Sequence, residues 1–298
     1  MHDTAERPLA GILLRLLSGL LFTGMMVCVK AVSTEVPLGQ TVFFRSAFAL
    51  LPIVAFMIWR REFPRALATR RPLGHLMRSG LGAAAMFASF AAVARLPVAE
   101  ATLLAQLSPV AMAVGGVLLL GERFSLHRAV ALSLVLVGVA ALVLPELQGQ
   151  MDGRLLGYAL GLLAALLTAG ALLTVRRISR TETAASIAFY FVLVTALAGL
   201  ATLPLGWVET AWPTLGLLVL SGLFGGAAHI CMTLALRYAE VSRLAPFEYV
   251  ALIWPVLADL WLFGQPLSPG FLLALPFVAG GAALAAFEGR GFRRPLRQ

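Results

Sequence analysis

Apolar residues run along the chain in long uninterrupted blocks, and polar residues collect in the short gaps between them. A helix needs about 20 apolar residues to cross the hydrocarbon core of a bilayer. Ten blocks meet that length, at 10–32, 40–59, 73–94, 98–120, 127–144, 154–175, 184–205, 213–236, 243–263 and 269–287. The blocks are continuous rather than alternating, so they predict helices and exclude a transmembrane barrel. No gap is long enough for a soluble domain. Arg7 precedes the first block, but no small-residue cleavage pattern follows it, so the first block reads as a retained span.

Composition supports the membrane reading. Of 298 residues, 60% are hydrophobic and 12% charged, against about 45–50% and about 25% in soluble domains. The net charge is +9, which raises the question of nucleic acid. The arginines, however, fall in clusters between apolar blocks, the pattern of loops facing anionic headgroups. With the N-terminus placed in the cytoplasm, inner segments hold 17 basic residues and outer loops only Arg95 and Arg154. That bias predicts both termini inside and an even number of spans. Cys28 and Cys231 lie within apolar blocks and suggest neither a disulfide framework nor a metal site.

A gapless shift of 143 residues lays 82–140 on 225–283 with 13 of 59 pairs identical, among them Gly82 on Gly225, Gly121 on Gly264 and Gly138 on Gly281. Shared composition explains part of this. The register adds weight, because loops fall on loops. Five spans per half is odd, so the second half enters the membrane from the opposite side, the inverted repeat of many secondary transporters. The expected fold is therefore an all-α polytopic membrane protein of ten transmembrane helices. Its units would be a first repeat at 10–144, a second at 154–287 and a basic cytoplasmic tail at 288–298.

The segment LSPVAMAVGGVLLLGERFS (107–125) followed by LVLVGVAALV (134–143) resembles the signature of EamA-domain proteins in the drug/metabolite transporter superfamily. So does APFEYVALIWPVLADLWLFGQPLS (245–268) in the second half, and VFFRSAFAL (42–50) resembles the family's second span. Gln265 stands where the pattern has Glu, and Asp259 where it has a small residue. The resemblance implies a secondary carrier, driven by exchange or by protons, with spans 1–4 and 6–9 around a cavity. It implies no cofactor, and a monomer or a homodimer. The branch with S-adenosylmethionine and riboflavin carriers looks most similar, and exporters of amino acids and of amino-acid-derived metallophores also lie in the superfamily.

Ionisable groups inside a membrane are costly and mark functional candidates. Lys30, Arg45, Glu100 and Asp259 fall toward the outer side, and Arg15, His75, Arg78, His229 and Glu248 toward the inner. On a continuous ninth helix, Glu248 and Asp259 share a face within about 20°, with Pro246 and Pro255 interrupting the backbone ladder. Glu248, Tyr249 and Trp254 are candidates for substrate binding, as are Arg45, able to grip a carboxylate in two places, and Gln106 beside Pro109. A structural pair of Arg45 with Asp259 or Glu100 is the competing reading. Asp259, Glu100, Lys30 and His229 are candidates for gating or proton coupling. For Lys30, Arg15 and Arg78 snorkelling is the favoured reading.

The function these features favour is export of a small polar metabolite, an amino acid or its derivative, from a bacterial cell across the inner membrane. Uptake of S-adenosylmethionine or riboflavin is the alternative, and an intramembrane enzyme or channel a remote one. The partners are then substrate, lipid, and a counter-substrate or proton, with no nucleic acid.

Overall fold

The structure, a computed structural model, describes residues 8–120, 126–147, 153–239, 244, 247 and 250–288. They form helices and turns, with no strand among the described residues. The helices are α1 (Pro8–Val32), α2 (Leu38–Trp59), α3 (Pro72–Val93), α4 (Val98–Ala105), α5 (Leu107–Leu120) and α6 (Leu126–Leu147). They continue as α7 (Arg154–Ile178), α8 (Ala184–Leu200), α9 (Trp212–Tyr238), α10 (Ile253–Trp261) and α11 (Pro269–Glu288). Seven stretches among the described residues are long and apolar enough to cross a membrane: α1, α2, α3, Val98–Val117, α7, Ala184–Leu205 and α9. Leu13, Leu17, Leu51, Leu76, Leu163 and Leu166 are exposed, whereas Arg45, Glu100 and Asp259 are buried. That is the distribution lipid demands.

Prolines set the breaks. Pro109 has no N–H to donate to Ala105 O, which instead accepts the Ser108 hydroxyl at 2.8 Å, and α4 gives way to α5 at Gln106. Pro255 likewise leaves Ala251 O free. That carbonyl takes the Trp254 N–H at 3.2 Å, a three-residue step, and Ala251–Leu252 form a turn before α10. The ninth block is thus interrupted by a turn ahead of α10, the helix that carries Asp259. Glu248, Tyr249 and Pro246 themselves, residues 121–125 of the signature and nearly all of the basic tail lie outside the described residues.

Small residues bring the helices together. α1 packs along α9 and α7 along α3, while α2 lies against α8 and α9, and α6 against α11. Ser18 Oγ donates to Ala228 O at 2.9 Å across the first of these crossings. At the α6–α11 crossing a Cβ on Gly138 would meet Val278 Cγ2 at 2.6 Å and Ala274 O at 3.1 Å. A Cβ on Gly281 would meet Val135 Cγ2 at 2.7 Å and Ala131 O at 2.7 Å. One apolar cluster, including Met25, Val42, Met57, Phe90 and Val192, fills the space between α1, α2, α3 and α8. A second, including Leu103, Leu104, Leu142, Tyr158 and Phe271, joins α4, α6, α7 and α11.

Candidate functional site

Polar side chains gather in three groups: one at each end of the bundle and one midway. The first lies at the end where α1 finishes and α4 begins. Pro97 precedes α4 and has no side-chain acceptor to cap it. Asp259, from α10, fills that role: Oδ1 accepts the Val98 N–H at 2.9 Å and Oδ2 the Ala99 N–H at 2.7 Å. A carboxylate suits the positive end of a helix. Lys30, in the last turn of α1, donates to Leu96 O at 2.6 Å and Val93 O at 3.3 Å, with its ammonium 5.5 Å from the Phe263 ring. The α3–α4 turn is thus held from two sides. Glu100, one turn into α4 and buried, accepts the Tyr158 hydroxyl at 2.6 Å and the Ser268 hydroxyl at 2.7 Å, and meets Arg154 at 3.3 Å. All three acidic and basic candidates of this layer hold helix ends.

The second group closes the other end. His75 Nε2 stands 3.2 Å from Glu182 Oε2, with both side chains 3% exposed. Glu182 Oε1 accepts the Arg70 N–H at 3.0 Å. Tyr190 packs its ring 4.5 Å from the His75 ring and donates its hydroxyl to Leu67 O at 2.6 Å. These contacts tie the α2–α3 connection to the α7–α8 loop. Burial pushes the Glu182 carboxyl up, but His75 beside it, the Arg70 N–H and Thr69 outweigh this and hold it below the usual carboxylate range. A depressed carboxyl contributes stability above its unfolded value, near 4.3, that is lost as pH falls through its folded value. Thermal unfolding of the detergent-solubilised protein should therefore show a loss of stability on the acid side of pH 4.5 that Glu182→Gln flattens. At pH 7 the same substitution should cost about 1–2 kcal/mol. An unchanged acid limb in Glu182→Gln would remove the latch role.

The third group sits midway. Arg45 on α2 is 2% exposed; its Nε donates to Met25 Sδ at 3.2 Å, and its buried Nη1 has no hydrogen-bond partner among the described residues. Arg78 on α3 lays its guanidinium 4.1 Å from the Phe191 ring centroid, and its buried Nε and Nη1 likewise have no partner among the described residues. His229 stands on α9, one turn beyond Gly225. The His229 ring contacts Phe22 edge-on at 5.1 Å and Phe191 at 6.4 Å. Arg45 makes no ion pair with Asp259 or Glu100, because both acids are engaged at the far end of α4. Trp254 is half-buried near Gly19 of α1, and its Nε1 has no partner among the described residues. Gln106 caps the C-terminus of α4 and is half-buried.

A cavity of about 380 Å³ opens beside the α1–α2 turn, lined in part by Val29, Thr41, Phe90 and Val208. Arg95 lines it, but none of the candidate binding or gating residues does. A smaller cleft between α2, α8 and α9 reaches His229, with Ile53, Met57 and Ala185 on its walls. Among the described residues no cluster of three His, Cys, Asp or Glu side chains is placed to hold a metal.

Sequence reasoning placed Arg45 toward the outer side and His229 toward the inner, and set Arg78 aside as a snorkelling residue. A signal was available. Gly82, one turn beyond Arg78, is the partner of Gly225 under the 143-residue shift. Both glycines turn out to lie against guanidinium groups. The Glu182 latch had no such signal, because its partners lie more than 100 residues away.

Comparison with known proteins adds a family context. The model of the EamA-like transporter family matches residues 9–144. The pseudopaline exporter of Pseudomonas aeruginosa is 30% identical over 270 residues, covering 89% of this chain and 91% of its own. The riboflavin transporter of Rhizobium johnstonii is 30% identical over 272 residues, 90% and 87% of the two chains. The S-adenosylmethionine uptake transporter of Rickettsia prowazekii is 24% identical over 265 residues, 89% and 88%. A crystal structure with 21% identity superposes with a TM-score of 0.64 over 94% of this chain and 97% of that one, a likeness of fold.

Proposed function

The chain belongs to the EamA-like transporter family, and on that premise we propose that it is a secondary carrier exporting a small carboxylate-bearing metabolite by alternating access. It is a multi-pass membrane transporter, and its relatives carry transporter names rather than enzyme names. The observation that supports the carboxylate is the pair of mid-helix guanidiniums with unused N–H groups. A buried guanidinium without a partner is costly, and a ligand carboxylate supplies what is missing.

The architecture we propose is ten spans in two inverted repeats, with both termini in the cytoplasm. The packing supports it. Under the 143-residue shift the crossing of α1 with α9 corresponds to that of α7 with α3, and both occur. Gly138 rests on Ala274 and Val278, and Gly281 rests on Ala131 and Val135, so one contact is repeated with the same residue types. In that orientation the Lys30–Asp259–Glu100 layer is the outer gate and the His75–Glu182 latch the inner one. Each half-cycle opens one of them while the site stays fixed between.

Among the relatives' named substrates, pseudopaline supports export of an amino-acid-derived metabolite as the first reading. Uptake of S-adenosylmethionine or riboflavin is the second, because relatives of comparable coverage bear those names. The positive interior favours the first: a sulfonium ion is repelled by Arg45 and Arg78, and a neutral flavin leaves both charges unanswered. Counterflow in proteoliposomes decides. Preloading with the true substrate should accelerate exchange of its labelled form several-fold, and Arg45→Gln should abolish the stimulation. A single-channel current in place of counterflow would overturn the carrier reading. A labelled panel of amino acids, amino-acid carboxylate derivatives, S-adenosylmethionine and riboflavin ranks the substrates.

A further inference from the structure

The two unpartnered guanidiniums stand in related places. Arg45 is the eighth residue of α2 and Arg78 the seventh of α3, each helix having 22 residues. The Arg45 head lies over Gly225: a Cβ there would meet its Nη2 at 3.0 Å and Nε at 3.1 Å. A Cβ on Gly82 would collide with Nη1 of Arg78 and meet Phe191 at 2.7 Å. Gly82 and Gly225 lie close to the midpoints of α3 and α9, and they are the pair that the 143-residue shift superimposes. The arginines themselves have no such relation, since the shift places Ala188 opposite Arg45 and Ser221 opposite Arg78. The repeat thus supplies two equivalent glycine seats: Gly225 on α9 receives a guanidinium from α2, and Gly82 receives one from its own helix, one turn away.

We infer that Arg45 and Arg78 form a two-point receptor for a metabolite with two anionic groups, one on each guanidinium, its apolar body lying against Phe22, Met25 and Phe191. This rests on the carrier reading and narrows its substrate class. A single carboxylate bound to one fork satisfies that arginine and leaves the second charge buried without a counter-ion. Two acidic groups on one molecule answer both. Met25 already touches Arg45, and Phe191 touches Arg78 and borders His229, so the wall between the two heads is apolar and aromatic with one imidazole. A flexible chain or ring joining the acidic groups fits that wall. Met86, packed against the Ser46 hydroxyl at 3.9 Å, extends the apolar lining. Two carboxylates and a carboxylate with a phosphate share this chemistry.

The test is binding to the full-length protein in detergent micelles, read by titration calorimetry and thermal unfolding. The probes are α,ω-dicarboxylates from malonate to pimelate, the monocarboxylate of each chain length, a phosphorylated hydroxy acid, and the α,ω-diamine of matching length. One window of dicarboxylate lengths should bind at least tenfold more tightly than its monocarboxylates, with no binding of the diamine. Tighter binding of the phosphorylated acid would assign the second group to phosphate. Arg78→Gln should reduce dicarboxylate affinity at least tenfold, to the monocarboxylate level, and Arg78→Lys should recover part of it. Gly82→Ala and Gly225→Ala keep both charges but displace the heads, and should shift the preferred length or lose it. Equal binding of mono- and dicarboxylates, absence of dicarboxylate binding at every length, or an unaltered preference in Arg78→Gln would overturn the receptor. Arginine-dependent dicarboxylate binding without counterflow would instead leave the receptor standing and overturn the carrier.

Discussion

Replacing Arg45 with methionine should abolish transport and make the empty protein more stable. The usual loss on truncating a buried side chain is reversed here by the state of the group removed. Arg45 is 2% exposed, its Nη1 has no partner among the described residues, and its one side-chain bond runs to a thioether. A thioether is a weak acceptor for a full charge. Removing an uncompensated buried charge in favour of an apolar residue of similar length gains about 1–3 kcal/mol. The check is thermal unfolding of the ligand-free protein beside counterflow of the same preparation. A variant that loses both stability and transport would make Arg45 a scaffold residue instead.

Asp259→Ala should act in the opposite direction, with a loss of about 2–4 kcal/mol. Its two oxygens accept the first two N–H groups of α4 at 2.9 and 2.7 Å, and Pro97 before them offers no substitute. Truncation leaves both donors buried and unpaired, and takes from Lys30 a nearby opposite charge. Asp259→Asn keeps one acceptor and should recover about half of the loss. The measurement is chemical or thermal unfolding in one detergent at pH 7. Wild-type stability in Asp259→Ala would show that α4 needs no cap from α10. Together the two substitutions compare a charge whose hydrogen bonds hold a helix end with one whose Nη1 has no partner among the described residues.

Much of the fold was legible in the apolar blocks. Helix α2 runs Leu38–Trp59 where the pattern gave 40–59, and α3 runs Pro72–Val93 where it gave 73–94. Hydrocarbon length and the backbone's need for internal hydrogen bonds leave little freedom there. The helix breaks were half legible. Pro255 was recognised as an interruption, and there Ala251 O, deprived of its usual partner, pairs three residues on instead of four; the separation of α4 from α5 at Gln106 was not.

The candidate site was less legible, for a reason of distance along the chain. Asp259 and the N–H groups it caps are separated by 160 residues or more, and Glu100 meets Ser268 across 168. No periodicity reports a bond between helices so far apart. Sequence by itself determined that the chain is built of long apolar helices fit to cross a bilayer, and which family it belongs to. Both follow from local apolar length and local motif. The tertiary structure alone decided which ionisable groups are spent on helix ends and which remain unpaired. An acid or a base in a membrane is defined by what faces it, and helix packing chooses the facing residue. Lys30, Glu100 and Asp259 are thereby engaged, whereas buried guanidinium nitrogens of Arg45 and Arg78 have no hydrogen-bond partner among the described residues.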